Sequence, residues 1–135
     1  MDRIKIKAPC SSANLGSGFD IFGLALEVFH DTLTVELTDS GIQIDVVGLD
    51  AAKIPADPSR NTAGYVAQSM LVGRDVGVKM RLEKGIPLRM GLGSSGASAA
   101  ACAVALNNLL NLALSSNELI KLAARGEVAA AGAAH

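Results

Sequence analysis

The segment Pro87-Leu88-Arg89-Met90-Gly91-Leu92-Gly93-Ser94-Ser95 constrains this chain more than any other. Before it, Val78-Lys79-Met80-Arg81-Leu82 alternates apolar and charged residues, the period of a strand with one wet face. After it, Ser95 to about Leu110 is apolar nearly all round, which predicts a long helix buried on most sides. A strand, a glycine-rich turn and a buried helix, in that order, carry the first amides of the helix to the end of a sheet. Those amides have no partner inside the helix and hold partial positive charge. Glycines let them approach an anion with no Cβ in the way. Ser94 and Ser95 add hydroxyls suited to phosphate oxygen or Mg²⁺. No lysine follows the glycines, so this is not a Walker A loop. Taken alone, the pattern also fits a plain glycine turn into a buried helix.

The rest of the chain supplies short strands and two more helices. Ile4 and Lys5-Ile6-Lys7 alternate as a first strand, ended by Pro9. Leu33, Val35 and Leu37 alternate with Thr32, Thr34 and Glu36 as a second. Asp39-Ser40-Gly41 reads as a turn, with Ile42 to Val47 returning as the hairpin partner of the second strand. Ala51 to Arg60, with Pro55 and Pro58, is a loop. Asn61 is placed to cap a helix from Thr62 to about Val72, with Val66, Met70 and Leu71 inward and Gly73 and Asp75 closing it. Ser115-Ser116-Asn117-Glu118 is a capping box opening a last helix that ends near Arg125-Gly126. Glu127 to His135 would begin something further, and Glu127 also fits a carboxylate in a first helical turn. His30 and Asp31 read as solvent-facing strand-end residues, and Lys84 and Arg89 as exposed cations able to help neutralise phosphate. The order of elements suggests an α+β layer rather than a doubly wound sheet, with residues 1–135 in one domain free of repeats and linkers.

Composition limits the partners. Half of the 135 residues are hydrophobic but only 3% are aromatic, so the core must be aliphatic, alanine-rich and closely packed. Twelve Lys and Arg against thirteen Asp and Glu leave a net charge of -1, which gives no electrostatic reason to expect nucleic acid or an anionic membrane. The apolar run from Gly96 to Leu106 is stopped by Asn107 and Asn108, too short to cross a bilayer. The N-terminus lacks the charged-then-apolar order of a signal peptide. Cys10 and Cys102 have no paired spacing and read as reduced thiols of a cytoplasmic protein.

Pro-x-x-x-Gly-Leu-Gly-Ser-Ser resembles the phosphate loop of the GHMP kinases, with Gly96 where those kinases usually carry alanine. A second stretch, Ala8-Pro9-Cys10-Ser11-Ser12-Ala13-Asn14-Leu15-Gly16-Ser17-Gly18-Phe19-Asp20 with Ile21-Phe22-Gly23-Leu24-Ala25-Leu26 after it, resembles the N-terminal motif of the homoserine kinases. A third, Gly126-Glu127 followed by Ala131-Gly132-Ala133-Ala134-His135, is similar to the family segment running from a metal-binding glutamate to a substrate-site histidine. The resemblance implies a ribosomal-protein-S5-domain-2-like N-terminal domain, incomplete here and without the ferredoxin-like C-terminal domain of the family. It implies transfer of the γ-phosphoryl of ATP to the hydroxyl of L-homoserine, in threonine biosynthesis, with Mg²⁺. Asn14, Asp20 and His135 would bind homoserine, Asp20 at its ammonium and not as a base. Pro87, Gly91, Leu92, Gly93, Ser94, Ser95, Gly96 and Ala97 would hold the nucleotide, with Asn61 towards the adenine end. Ser95 and Glu127 would hold Mg²⁺, and no residue is assigned as the catalytic base.

The same resemblance implies that a part ending at His135 is a poor catalyst by itself, because substrate-gripping residues of the family lie further on. Apolar edges in such a part would favour self-association, a homodimer being one form of it. Two other readings stay open: another GHMP kinase acting on a different small alcohol, and a nucleotide-binding or oligomerisation module without catalysis.

Overall fold

A computed structural model of the chain describes residues 2–9, 29–87 and 94–129. Four strands form one sheet: β1 (Arg3–Pro9), β2 (His30–Thr38), β3 (Ile42–Gly48) and β4 (Gly77–Lys84). Among the described residues three α-helices follow the alternation of the sequence: α1 (Thr62–Leu71), α2 (Ser94–Leu109) and α3 (Ser116–Ala129). The mixed α+β expectation holds. The helices pack on one another, and α2 lies against β1 and β2.

The strand order is β1-β2-β4-β3, which corrects the expected hairpin. The chain does turn at Ser40-Gly41, where Gly41 takes a positive φ of 79°, but β3 does not pair with β2. Strand β4 enters between them, antiparallel to β2 and parallel to β3. Composition gives the reason. Val78, Met80 and Leu82 of β4 are almost completely buried, whereas on the same face of β3 only Ile44 is buried and Ile42 and Val46 stay partly exposed, which suits an edge. Gly77 makes the insertion possible: a Cβ there would collide with the backbone of Ser40 and Gly41, under which β4 passes. The parallel β3-α1-β4 connection needs a crossover, and α1 provides it.

The register aligns the core in rows. Ile4, Val35, Met80 and Ile44 lie side by side, then Ile6, Leu33, Leu82 and Val46. Leu33, Val35, Met80 and Leu82 are fully buried, each contributing about 1.5–3 kcal/mol by leaving water. On the opposite face Arg81 pairs with Asp45 and Glu83 at the surface. Helix α2 has small residues at its buried positions, among them Ala97, Ala99, Ala101, Ala103 and Ala105, so its neighbours can approach closely.

Helix α3 opens as expected, with the Ser115 hydroxyl accepting from the Glu118 amide at 3.2 Å and donating to the Glu118 carboxylate. It does not stop at Gly126, however, and continues to Ala129. Gly126 is buried: a Cβ there would meet Val66 Cγ2 at 2.8 Å and the Thr62 carbonyl oxygen at 3.0 Å. The residue that looks like a helix stop is therefore a contact point between α3 and α1.

Cys102 sits at the centre of the core, its Sγ 3.8 Å from Met80 Sδ, and burial pushes its thiol up to about 12. In the native protein at about pH 8 the peptide carrying Cys102 is expected to resist iodoacetamide and to label once urea unfolds the chain. Rapid labelling without denaturant, followed by mass spectrometry of that peptide, would contradict this core.

Candidate functional site

The apolar rows of the sheet end in charge. One step beyond Ile6, Leu33 and Leu82 the same face presents Ala8, Asp31 and Lys84. Asp31 and Lys84 pair with their side chains completely buried, which corrects the reading of Asp31 as solvent-facing and of Lys84 as an exposed cation. Lys84 Nζ donates to Asp31 Oδ2, to the Ser94 carbonyl oxygen at 2.9 Å and to Ser98 Oγ at 2.9 Å. Asp31 Oδ1 accepts from the amides of Gly85 at 2.9 Å and Ile86 at 3.2 Å. Ser94 Oγ donates to the Ile86 carbonyl oxygen at 3.2 Å. Burial draws the Lys84 pKa below its ordinary value, while the charge and hydrogen bond of Asp31 oppose that shift.

This network lies where β4 gives way to the glycine-rich segment and where α2 begins. Two helix N-termini meet above it. The Thr62 hydroxyl at the start of α1 donates to the Ser95 carbonyl oxygen at 3.0 Å. Asn61 caps α1, its Oδ1 accepting from the Gly64 amide at 3.2 Å, while its Nδ2 donates to the Pro55 carbonyl oxygen at 2.8 Å. The Asn61 side chain is fully buried with both polar atoms partnered, so it shapes the start of α1 from within.

Glu127 completes the arrangement from α3. It is exposed in the last turn of that helix, and its Oε1 stands so close over Gly96 that a Cβ at residue 96 would collide with it. A carboxylate is unfavourable at the C-terminal end of its own helix and favourable at the N-terminal end of another. Glu127 makes no ion pair among the described residues, and its reach to α2 gives it that favourable setting. An apolar groove of about 430 Å³ runs from Glu127 between α2 and α3, past Ala100, Val104 and Ile120.

The structure thus brings together Ser94, Ser95, Gly96, Ala97 and Glu127, with Asn61 behind them and Pro87 half-buried on the strand side of the loop. Ser94 is buried, which leaves Ser95 as the more accessible hydroxyl of the two. Asn14, Asp20, Arg89, Gly91, Leu92, Gly93 and His135 lie outside the described residues. Among the described residues no three His, Cys, Asp or Glu side chains gather to hold a metal unaided. No helix among them is long and apolar enough to cross a membrane. The Asp31–Lys84 pair had a sequence signal: each residue lies two positions beyond a core leucine in an alternating strand.

Residues 60–135, more than half of the chain, match the family GHMP kinases N terminal domain. The chain is 48% identical over 137 residues to the homoserine kinase of Methanococcus maripaludis strain C5, covering 100% of this chain and 46% of that protein. It is 50% identical over 135 residues to the homoserine kinase of Methanocella arvoryzae, covering 100% of this chain and 43% of that protein. It therefore spans a little under half the length of these curated relatives. Among solved structures, the homoserine kinase from Cytophaga hutchinsonii superposes with a TM-score of 0.82 at 34% identity, over 100% of this chain and 44% of that one. The mevalonate kinase of Methanococcus jannaschii superposes with a TM-score of 0.63 at 18% identity, over 98% of this chain and 48% of that one, a likeness of fold alone.

Proposed function

The chain belongs to the GHMP kinases, and from that premise we propose that it supplies the nucleotide-binding part of an enzyme that phosphorylates the hydroxyl of L-homoserine with ATP. The observation that carries this reading is the Glu127 carboxylate standing over the first turn of α2. A phosphate seated on the amides of that turn would lie beside a carboxylate. Two anions at such a distance repel unless a cation stands between them. Mg²⁺ suits the place, because it is commonly held by one or two carboxylates together with the phosphates of its nucleotide. Glu127 and the Ser95 hydroxyl are the residues that would hold it, and when bound it would neutralise charge on the phosphate oxygens.

The chain's own residues then have separate tasks. The amides at the start of α2, with Gly91 to Gly93 before them, bind and orient the triphosphate. Asn61 and Thr62 fix the approach of α1 to that site. Asn14, Asp20 and His135 bind homoserine, with Asp20 taking its ammonium. Phosphoryl transfer through a loose transition state needs chiefly positioning and charge stabilisation, so no side chain is assigned as base. We place the reaction in the cytoplasm and its product, O-phospho-L-homoserine, in threonine biosynthesis.

The test is homoserine-dependent release of ADP from Mg-ATP by the protein, run beside mevalonate and a set of sugars. Turnover with homoserine alone is the expected result. Turnover only with another alcohol would assign the site to a different GHMP kinase, and nucleotide binding with no turnover would favour a binding module. Asp20→Asn is expected to raise the KM for homoserine by about 10- to 100-fold, the worth of one hydrogen bond to a charged group, with little change in kcat. A loss in kcat at saturating homoserine would make Asp20 the base.

A further inference from the structure

We propose that Asp31 and Lys84 form a clasp that fixes the two ends of the phosphate-binding segment relative to each other, so that both are positioning residues for the nucleotide. The proposal rests on the nucleotide reading above. Three observations support it.

The first is that the fold does not need charge at this place. The pair continues two rows of aliphatic residues, so the packing of this face calls for no charge, and an uncharged pair that kept an acceptor for the Gly85 and Ile86 amides would satisfy it. Buried ion pairs are a weak source of stability compared with such replacements.

The second is where the hydrogen bonds go. Asp31 Oδ1 holds the amides of Gly85 and Ile86, the residues that lead into the segment. Lys84 Nζ holds the Ser94 carbonyl and the Ser98 hydroxyl, in the first turns of the helix that the segment opens. The ion pair joins these two sets, and Ser94 Oγ to the Ile86 carbonyl closes the same ends directly. Every protein partner of the pair named here therefore belongs to one flank of the segment or the other.

The third is that Lys84 cannot act on phosphate itself. Its side chain is completely buried and its charge is matched by Asp31. What it transmits is geometry, and amides that bind phosphate lose much of their effect when displaced by a fraction of an ångström.

The decisive variant is Asp31→Asn combined with Lys84→Met. Asparagine keeps an oxygen for the amides of Gly85 and Ile86, methionine fills the apolar space, and no unpaired charge is buried. The bonds from Lys84 to Ser94 and Ser98 are lost, and the Ser98 hydroxyl loses the carboxylate oxygen to which it donates at 3.3 Å, while the bond from Ser94 Oγ to the Ile86 carbonyl remains. The double variant is expected to melt within a few degrees of the wild type. Hydrogen exchange at Gly85, Ile86 and the first turns of α2 should accelerate by about tenfold, with the amides of Leu33 and Met80 unchanged. Affinity for AMP-PNP with Mg²⁺ should fall by about 10- to 100-fold, with the KM for homoserine unaltered. Wild-type exchange and wild-type affinity in the folded variant would overturn the clasp. Should the double variant not fold, Ser98→Ala removes one partner without stranding a charge, and unchanged exchange and affinity there would overturn it equally. A wild-type protein that binds no AMP-PNP would overturn the kinase reading, and the exchange comparison would then decide the clasp alone.

Discussion

Glu127→Ala is expected to lower Mg-ATP-dependent turnover by on the order of 10²–10³-fold, the usual loss when one preorganised electrostatic group is taken from a transition state. The side chain is exposed and makes no ion pair among the described residues, so its removal should leave the melting temperature nearly unchanged. Free of its carboxylate, the start of α2 is a better site for a bare anion. Nucleotide without Mg²⁺ should therefore bind the variant at least as well as the wild type, while the gain in affinity on adding Mg²⁺ should shrink. Titrations with and without Mg²⁺ separate these effects. A variant that keeps the full Mg²⁺ dependence of binding and full turnover would remove Glu127 from the site.

Asp31→Ala should have the largest effect on stability, about 3–5 kcal/mol, because it leaves the Lys84 ammonium buried without its counter-charge. The amides of Gly85 and Ile86 lose their acceptor in the same step. Against a total stability of about 5–15 kcal/mol, that brings the protein close to unfolding. The pH dependence has a definite sign. Burial holds the Lys84 pKa below its ordinary 10.5, and Asp31 supplies the effects that oppose this. Without Asp31 the folded value falls further. Between that value and 10.5 the unfolded chain binds more protons than the folded one, so stability rises with pH across this window. Urea melts of the variant should thus recover part of their loss as pH is raised from neutrality towards 10.5, more steeply than the wild type. A loss below about 1 kcal/mol with no such recovery would mean that the pair is not buried as described.

What could be read from the sequence was what local pattern determines. The strand, glycine-rich segment and helix at Val78 to Leu109 follow from a change of period around glycines. The caps at Asn61 and Ser115 follow from side-chain chemistry within three residues. The errors arose where a distant partner decides. Gly41 announces a turn, but whether the strands beside it pair depends on Gly77 and the apolar face of β4, far along the chain. Gly126 carries the local mark of a helix end, yet Val66 and Thr62 need that glycine inside the helix. Asp31 and Lys84 each look like a charge at a strand end, and become a buried pair only once β2 and β4 are neighbours. The candidate site was legible as a list of residues, while the reach of Glu127 to α2 required the packing of α3 against α1 and α2.

The strand order also sets a timetable for synthesis. Both β2 and β3 leave the ribosome before β4, the strand that joins them, has been made. Until residues 77–84 emerge, each has an open edge facing a gap that no earlier part of the sheet can fill. The sheet therefore closes from its middle and late, through contacts distant in sequence, which slows folding and lengthens the time that unpaired edges are exposed to other chains. Substitutions at Gly77, which admits the late strand, should be felt first as lower yield of soluble protein.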